Sequence, residues 1–258
     1  MTTPEAPTAP PTRTTPYGAD PAQVYDVREP TTHGAETRGA TVVVVHGGFW
    51  RAAHDRAHAA AQAQGLADRG FHVAVVEYRR VGMPGGGWPG TFDDVTAAIA
   101  AVRADPTLPE PTVLLGHSAG GHLVTLAASQ PWALGLRGAV SLAGCVDLVR
   151  GVELGMGDGA VPDFLGGPPT TDPADPLAAA DPAMTTPAVP VVLVHGTADD
   201  TVPLEVSRSY AAKVADAASP HAAVRVLELE GGDHSVVIDP ASAEYAAVVV
   251  ELEELTRG

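Results

Sequence analysis

Gly116-His117-Ser118-Ala119-Gly120 is the segment with the clearest chemical sense. A serine between two glycines suits a very tight turn from a strand into a helix. Such a turn pushes Oγ outward, strains the serine backbone and lets neighbouring chain pass close to the glycines. The flanks agree, since Thr112-Val113-Leu114-Leu115 reads as a strand and Gly121-His122-Leu123-Val124 as a helix. The first N–H groups of that helix, beginning with Ala119, face any negative charge that forms near Ser118. Further donors follow another apolar strand, in His46-Gly47-Gly48-Phe49-Trp50. Two glycines after a strand free their N–H groups to face a cavity instead of a β-ladder. Such donors suit an oxyanion hole, with the Ala119 N–H as its second arm. Phe49 and Trp50 either wall an acyl pocket or belong to the core. His46 reads as a structural hydrogen-bonding residue.

A serine nucleophile needs a base, and the base needs an orienting carboxylate. His195-Gly196-Thr197-Ala198-Asp199-Asp200-Thr201-Val202-Pro203 offers two adjacent acids on a turn after a strand. Gly231-Gly232-Asp233-His234-Ser235 follows the last predicted strand and offers His234. The order is serine, acid, histidine, with Asp199 or Asp200 as the acid and Asp147, after an earlier strand, as a rival. His54 and His58 are four residues apart on a predicted helix, but Asp55 sits where a zinc-binding His-Glu-x-x-His pattern needs glutamate, so no metal is expected. Gly82–Trp88 is glycine-rich without the ending of a phosphate loop and reads as a mobile loop, with Trp88 at the mouth of the site or anchoring it. Cys145 reads as a small buried hydrophobe. It is the single cysteine, so no intramolecular disulfide is possible.

These residues need elements to hold them. Short β-branched runs at 42–45, 71–78, 113–116, 139–142, 191–194 and 224–229 read as strands. Ala-rich stretches at 53–69, 91–103, 120–129, 203–218 and 241–255 read as helices. Gly70 stands at a C-cap position and Thr91 at an N-cap position. The alternation predicts an α/β fold, a mostly parallel sheet with helices on both faces. Residues 144–190 are too long for an ordinary loop and are expected to form a small lid within one domain spanning 18–258. Residues 1–17, rich in Thr and Pro, read as a disordered tail without the apolar core of a secretory signal. The 258 residues carry 31 acidic against 15 basic groups, a net charge of −16. That balance argues against a nucleic-acid partner and against an anionic membrane surface. No run is long enough to span a bilayer, so a cytoplasmic location is the default expectation.

HGGFW, GHSAGGHL, HGTADDTVP and the terminal DHS come in the order and rough spacing of the α/β-hydrolase superfamily, which the sequence resembles from about Val24 to Leu255. Within it the pattern is closest to the branch of kynurenine formamidases (arylformamidases) and small esterases with a dipeptidyl-peptidase-like catalytic domain. The resemblance implies an α/β-hydrolase fold and a catalytic set of Ser118, Asp199 and His234. It also implies oxyanion donors at Phe49, Gly48 and Ala119. Trp50, Trp88, His117 and Val202 are the expected pocket residues. The expected function is a serine hydrolase without cofactor, cleaving a small-molecule carboxylic ester or an aryl-amide such as a formamide. Kynurenine formamidase proper is the narrower alternative, and a non-catalytic binding protein of this fold is the alternative from another class.

Overall fold

The computed structural model describes residues 8–32, 37–217 and 223–257. Its frame is an eight-stranded sheet. The strands are β1 (Arg13–Pro16), β2 (Val24–Arg28), β3 (Thr41–Val45), β4 (His72–Val76), β5 (Thr112–His117), β6 (Ala139–Leu142), β7 (Val191–Gly196) and β8 (Val224–Leu229). The spatial order is β1-β2-β4-β3-β5-β6-β7-β8. The pairs β1–β2 and β2–β4 are antiparallel, and every pair from β4 through β8 is parallel.

The Val run of β3 shows why the sheet must be covered twice. Side chains alternate across a strand, and all five β3 residues are buried. Val43 and Val45 belong to the buried cluster on one face, which α2 (Gly90–Ala104), α3 (Ala119–Ala128) and α6 (Leu204–Asp216) cover. Val42 and Val44 belong to the cluster on the other face, which α1 (Ala60–Ala67) and α7 (Tyr245–Arg257) cover. A central strand with solvent on one face would expose alternate valines, each losing about 1.5–3 kcal/mol of burial.

Residues 144–190 form α4 (Leu148–Glu153), α5 (Ala160–Leu165) and two short 3-10 turns. They are not a detached flap, because Val161, Phe164, Leu165 and Ala180 join the same core as α2 and α3. Two buried carboxylates hold the segment. Asp147 Oδ1 accepts the Arg150 N–H, while its Oδ2 meets Lys213 Nζ at 2.7 Å and Ser209 Oγ at 2.6 Å. Asp181 accepts N–H groups from Leu148, Val149 and Ala183.

Several expectations need correction. The disordered tail expected over residues 1–17 does not hold for residues 13–16, because Arg13–Pro16 pairs with Val24–Arg28 and Arg13 reaches Asp105 at 2.6 Å; residues 1–7 lie outside the described residues. The helix expected over 53–69 begins later, as a 3-10 turn at Arg56–Ala59 leading into α1. Asp55 starts that turn by accepting the Ala57 N–H. Residue 218, the expected end of α6, lies outside the described residues. Thr91 is no N-cap; it lies buried inside α2, donating to Arg79 O at 2.6 Å and accepting from Gly87 N–H.

Candidate active site

Five loops at the carboxyl ends of β3, β5, β6, β7 and β8 converge, as expected for ligand sites of parallel sheets. The β5–α3 turn carries Ser118 at φ 55°, ψ −116°, a region that a non-glycine residue enters only under strain of about 1–3 kcal/mol. Glycine is required on both sides. A Cβ on Gly116 would stand 2.2 Å from Gly120 O, and one on Gly120 would stand 2.0 Å from Val45 O. The bend therefore presses against the end of β3, where the next loop begins.

That loop, residues 46–50, is also strained, with Phe49 at φ 50° and Trp50 at φ 55°. It touches the Ser118 turn, since a Cβ on Gly47 would lie 2.9 Å from His117 O and 3.1 Å from Ser118 Cβ. Among the described residues no acceptor is bonded to the N–H of Phe49 or Ala119. A buried ionic network underlies the loop. Glu77, at the end of β4, meets His46 Nε2 at 3.1 Å and Arg80 Nη1 at 2.8 Å, and accepts the Arg56 N–H at 2.9 Å. Tyr78 OH donates to His46 O at 2.7 Å, and the two rings stack. Burial raises the cost of ionising Glu77, yet His46, the Arg56 N–H and Arg80 outweigh it and hold the carboxyl below its ordinary range. His46 is thus structural, as expected.

Asp199 and His234 meet across the β7 and β8 loops. Asp199 Oδ2 lies 2.7 Å from His234 Nδ1 and 3.2 Å from His195 Nε2. Its Oδ1 accepts the N–H groups of Thr201 and Val202, each at 2.9 Å. The Asp199 side chain is fully buried and that of His234 is 15% exposed. Burial alone would push the Asp199 carboxyl up, but His195, His234 and the Val202 N–H together hold it far below the ordinary carboxylate range. Asp200 is exposed and, among the described residues, bonds only to Thr201. Asp147 is taken by Lys213 and Ser209. Of the three acids left open by residue types alone, Asp199 is the one at the histidine.

Ser118 is 2% exposed, and no hydrogen bond joins its Oγ to His234 among the described residues. Such bonds are often long before substrate binds. Cys145 is fully buried beside it, as expected of a small hydrophobe. Burial pushes its thiol up to about 12, with the Ser118 hydroxyl opposing the shift.

The expected pocket residues fare differently. Trp50 is fully buried, stacked on Phe164 at 4.7 Å and edge-on to His122, so it is a core residue rather than a pocket wall. Val202 is fully buried too, and acts through its main chain on Asp199 and His195. Trp88 is half-buried; its main-chain N–H donates to Phe164 O at 2.7 Å, which anchors the 82–88 loop to α5, and its ring stacks on Phe92. His117 is 5% exposed, with its ring 4.5 Å from that of His234. Phe49 is half-buried against Gly157, where an added Cβ would lie 2.8 Å from its Cε1. Residue types alone missed the Glu77–Arg80 network. Its available signal was Glu77-Tyr78-Arg79-Arg80, a charged run directly after an apolar strand.

The sheet order, the helical layers and the strand-end loops define an α/β-hydrolase fold. The chain belongs to the BD-FAE family, which it matches over residues 25–214. That match contains Ser118 and Asp199 and ends before His234. No curated protein matches the chain. Among solved structures, a truncated carbohydrate esterase from gut microbiota is similar at TM-score 0.78 and 18% identity, covering 96% of this chain and 98% of that one. Esterase B from Lactobacillus rhamnosis is similar at TM-score 0.75 and 20% identity, with 97% and 89% covered. A thermophilic esterase from Thermogutta terrifontis is similar at TM-score 0.71 and 20% identity, with 95% and 92% covered. At these identities the likeness speaks for the fold.

Proposed function

We propose that the protein is a serine hydrolase that cleaves a small-molecule carboxylic ester through an acyl-enzyme on Ser118. The observation that carries this reading is the buried Asp199 bonded at 2.7 Å to His234 Nδ1, on loops adjoining a strained serine. An Nδ1–H donated to Asp199 leaves the Nε2 lone pair free to accept a proton. His234 Nε2 takes the Ser118 proton as Oγ attacks the carbonyl carbon, and Asp199 stabilises the resulting imidazolium. The oxyanion forms against the Phe49 and Ala119 N–H groups, each worth about 3–4 kcal/mol by analogy with other acyl-transfer enzymes. His234 returns the proton to the leaving oxygen as the C–O bond breaks. Water, deprotonated by the same nitrogen, then releases the acid. No cofactor takes part.

The esterase names carried by three structural relatives agree with this reading. Kynurenine formamidase activity has no observation of its own in its favour. Ser118→Ala, assayed with p-nitrophenyl acetate and a fluorophosphonate probe, tests the proposal. Hydrolysis and covalent labelling are both expected to vanish. A wild-type protein that neither hydrolyses short esters nor labels would mark a binding module; a Ser118→Ala variant with undiminished turnover would also refute the mechanism.

A further inference from the structure

The serine and the histidine sit on separate strand-end loops, and their separation must be set by something other than a bond between them. The histidine loop, residues 230–238, is tied firmly to the acid loop. Ala198 N–H donates to Gly232 O, Gly231 N–H donates to Thr197 Oγ1, and His234 Nδ1 meets Asp199. Its tie to the serine turn is thinner. Among the described residues one hydrogen bond crosses between residues 116–120 and residues 230–238, from His117 Nε2 to His234 O at 2.9 Å.

The chemistry of that bond is unambiguous. His234 O only accepts, so His117 carries its proton on Nε2. His117 Nδ1 then presents a lone pair, which is buried without a partner. That edge of the ring faces the 46–50 loop, since a Cβ on Gly47 would lie 3.2 Å from Nδ1. The outer neighbour is His58, whose ring is near-parallel to that of His117 at 5.8 Å. Burial, together with the nearby charge on His234, lowers His117 to about 3, so it stays neutral while His234 gains and loses its proton. A neutral imidazole held in one tautomer is a spacer. It adjoins Ser118 in the chain, the oxyanion loop through Gly47, and the base through its main-chain oxygen.

We propose that His117 is a positioning residue that sets the distance between His234 Nε2 and Ser118 Oγ by donating its Nε2–H to the main-chain oxygen of His234. This rests on the serine-hydrolase reading above. The role belongs to a residue that does not touch the reacting atoms, and misplacing reacting groups by about 1 Å costs on the order of 100-fold in rate.

The test compares His117→Gln, His117→Asn and His117→Leu in the full-length chain. Glutamine places an amide N–H near the reach of imidazole Nε2, whereas the asparagine amide stops near Nδ1 and leucine has no donor. With p-nitrophenyl acetate, kcat is expected to fall about 10- to 100-fold in His117→Leu and His117→Asn with KM within about twofold of wild type. His117→Gln is expected to recover most of the loss. The fluorophosphonate labelling rate is expected to follow kcat. Thermal unfolding of all three variants separates a positional loss from failure to fold. Equal kcat in folded His117→Leu and wild type would overturn the proposal. So would a folded His117→Gln as impaired as His117→Leu, or a loss carried in KM alone. If wild type itself neither turns over nor labels, it is the serine-hydrolase reading that fails.

Discussion

Replacing Asp199 by asparagine changes one atom, and the surrounding bonds dictate its consequence. Asp199 Oδ1 accepts two N–H groups, from Thr201 and Val202, each at 2.9 Å. An amide NH2 placed there would put donor against donor twice. The asparagine must therefore keep its oxygen at that position and turn its NH2 toward His234 Nδ1, where it opposes one donor, the His195 Nε2–H at 3.2 Å, rather than two. His234 Nδ1 then becomes the acceptor and the imidazole proton moves to Nε2. An Nε2–H cannot take the Ser118 proton. In serine enzymes with this arrangement the same change lowers kcat about 10⁴-fold, equivalent to roughly 5.5 kcal/mol of barrier. We expect a loss of that order in Asp199→Asn, measured as kcat on p-nitrophenyl acetate, with the fold retained. Asp200→Asn, at an exposed side chain, is expected to stay within about twofold of wild type. An Asp199→Asn protein retaining a tenth of the activity, or an Asp200→Asn protein losing a hundredfold, would refute the tautomer argument.

Glu77→Ala would leave Arg80 and His46 buried without their shared carboxylate, and breaking such a pair costs about 3–5 kcal/mol. Denaturant unfolding is expected to show that loss, with kcat falling as the 46–50 loop loosens; a change below about 1 kcal/mol would mean the network carries little. Asp181 is raised to about 6 by burial, with the nearby Asp147 charge adding to the rise and the Ala183, Leu148 and Val149 N–H groups opposing it. A raised carboxyl favours the protonated native state, so its contribution is complete below about pH 4 and is lost as pH rises through about 6. Asp181→Asn lacks that titration. Its stability is therefore expected to gain on wild type by up to about 3 kcal/mol between pH 4 and 7. Parallel stability–pH curves for the two proteins would contradict the assignment.

The chemistry was legible because it is written in short local patterns. A glycine on each side of Ser118 is demanded by backbone atoms close by, and those glycines are visible in any reading of the chain. Strand identity was equally legible, since continuous Val runs bury both faces of a parallel sheet. The antiparallel strands β1 and β2 were not. Arg13-Thr14-Thr15-Pro16 has no apolar pattern, and it is a strand only because the edge of β2 supplies its hydrogen bonds.

What the sequence by itself determined is the list of groups able to do chemistry and the alternation of elements that brings strand ends together. Those follow from residue type and from periods of a few residues. What only the tertiary structure decided is which of these groups meet. Asp199, Asp200 and Asp147 are alike as residue types. Asp199 differs in having its carboxylate turned inward between His195 at the end of β7 and His234 after β8, which come together only when β7 and β8 pair. Trp50 left the pocket for the core because α5, more than a hundred residues downstream, lays Phe164 across it. His117 became a link between loops for the same reason. Its partner is 117 residues away, and that distance closes only through the folding of the whole sheet.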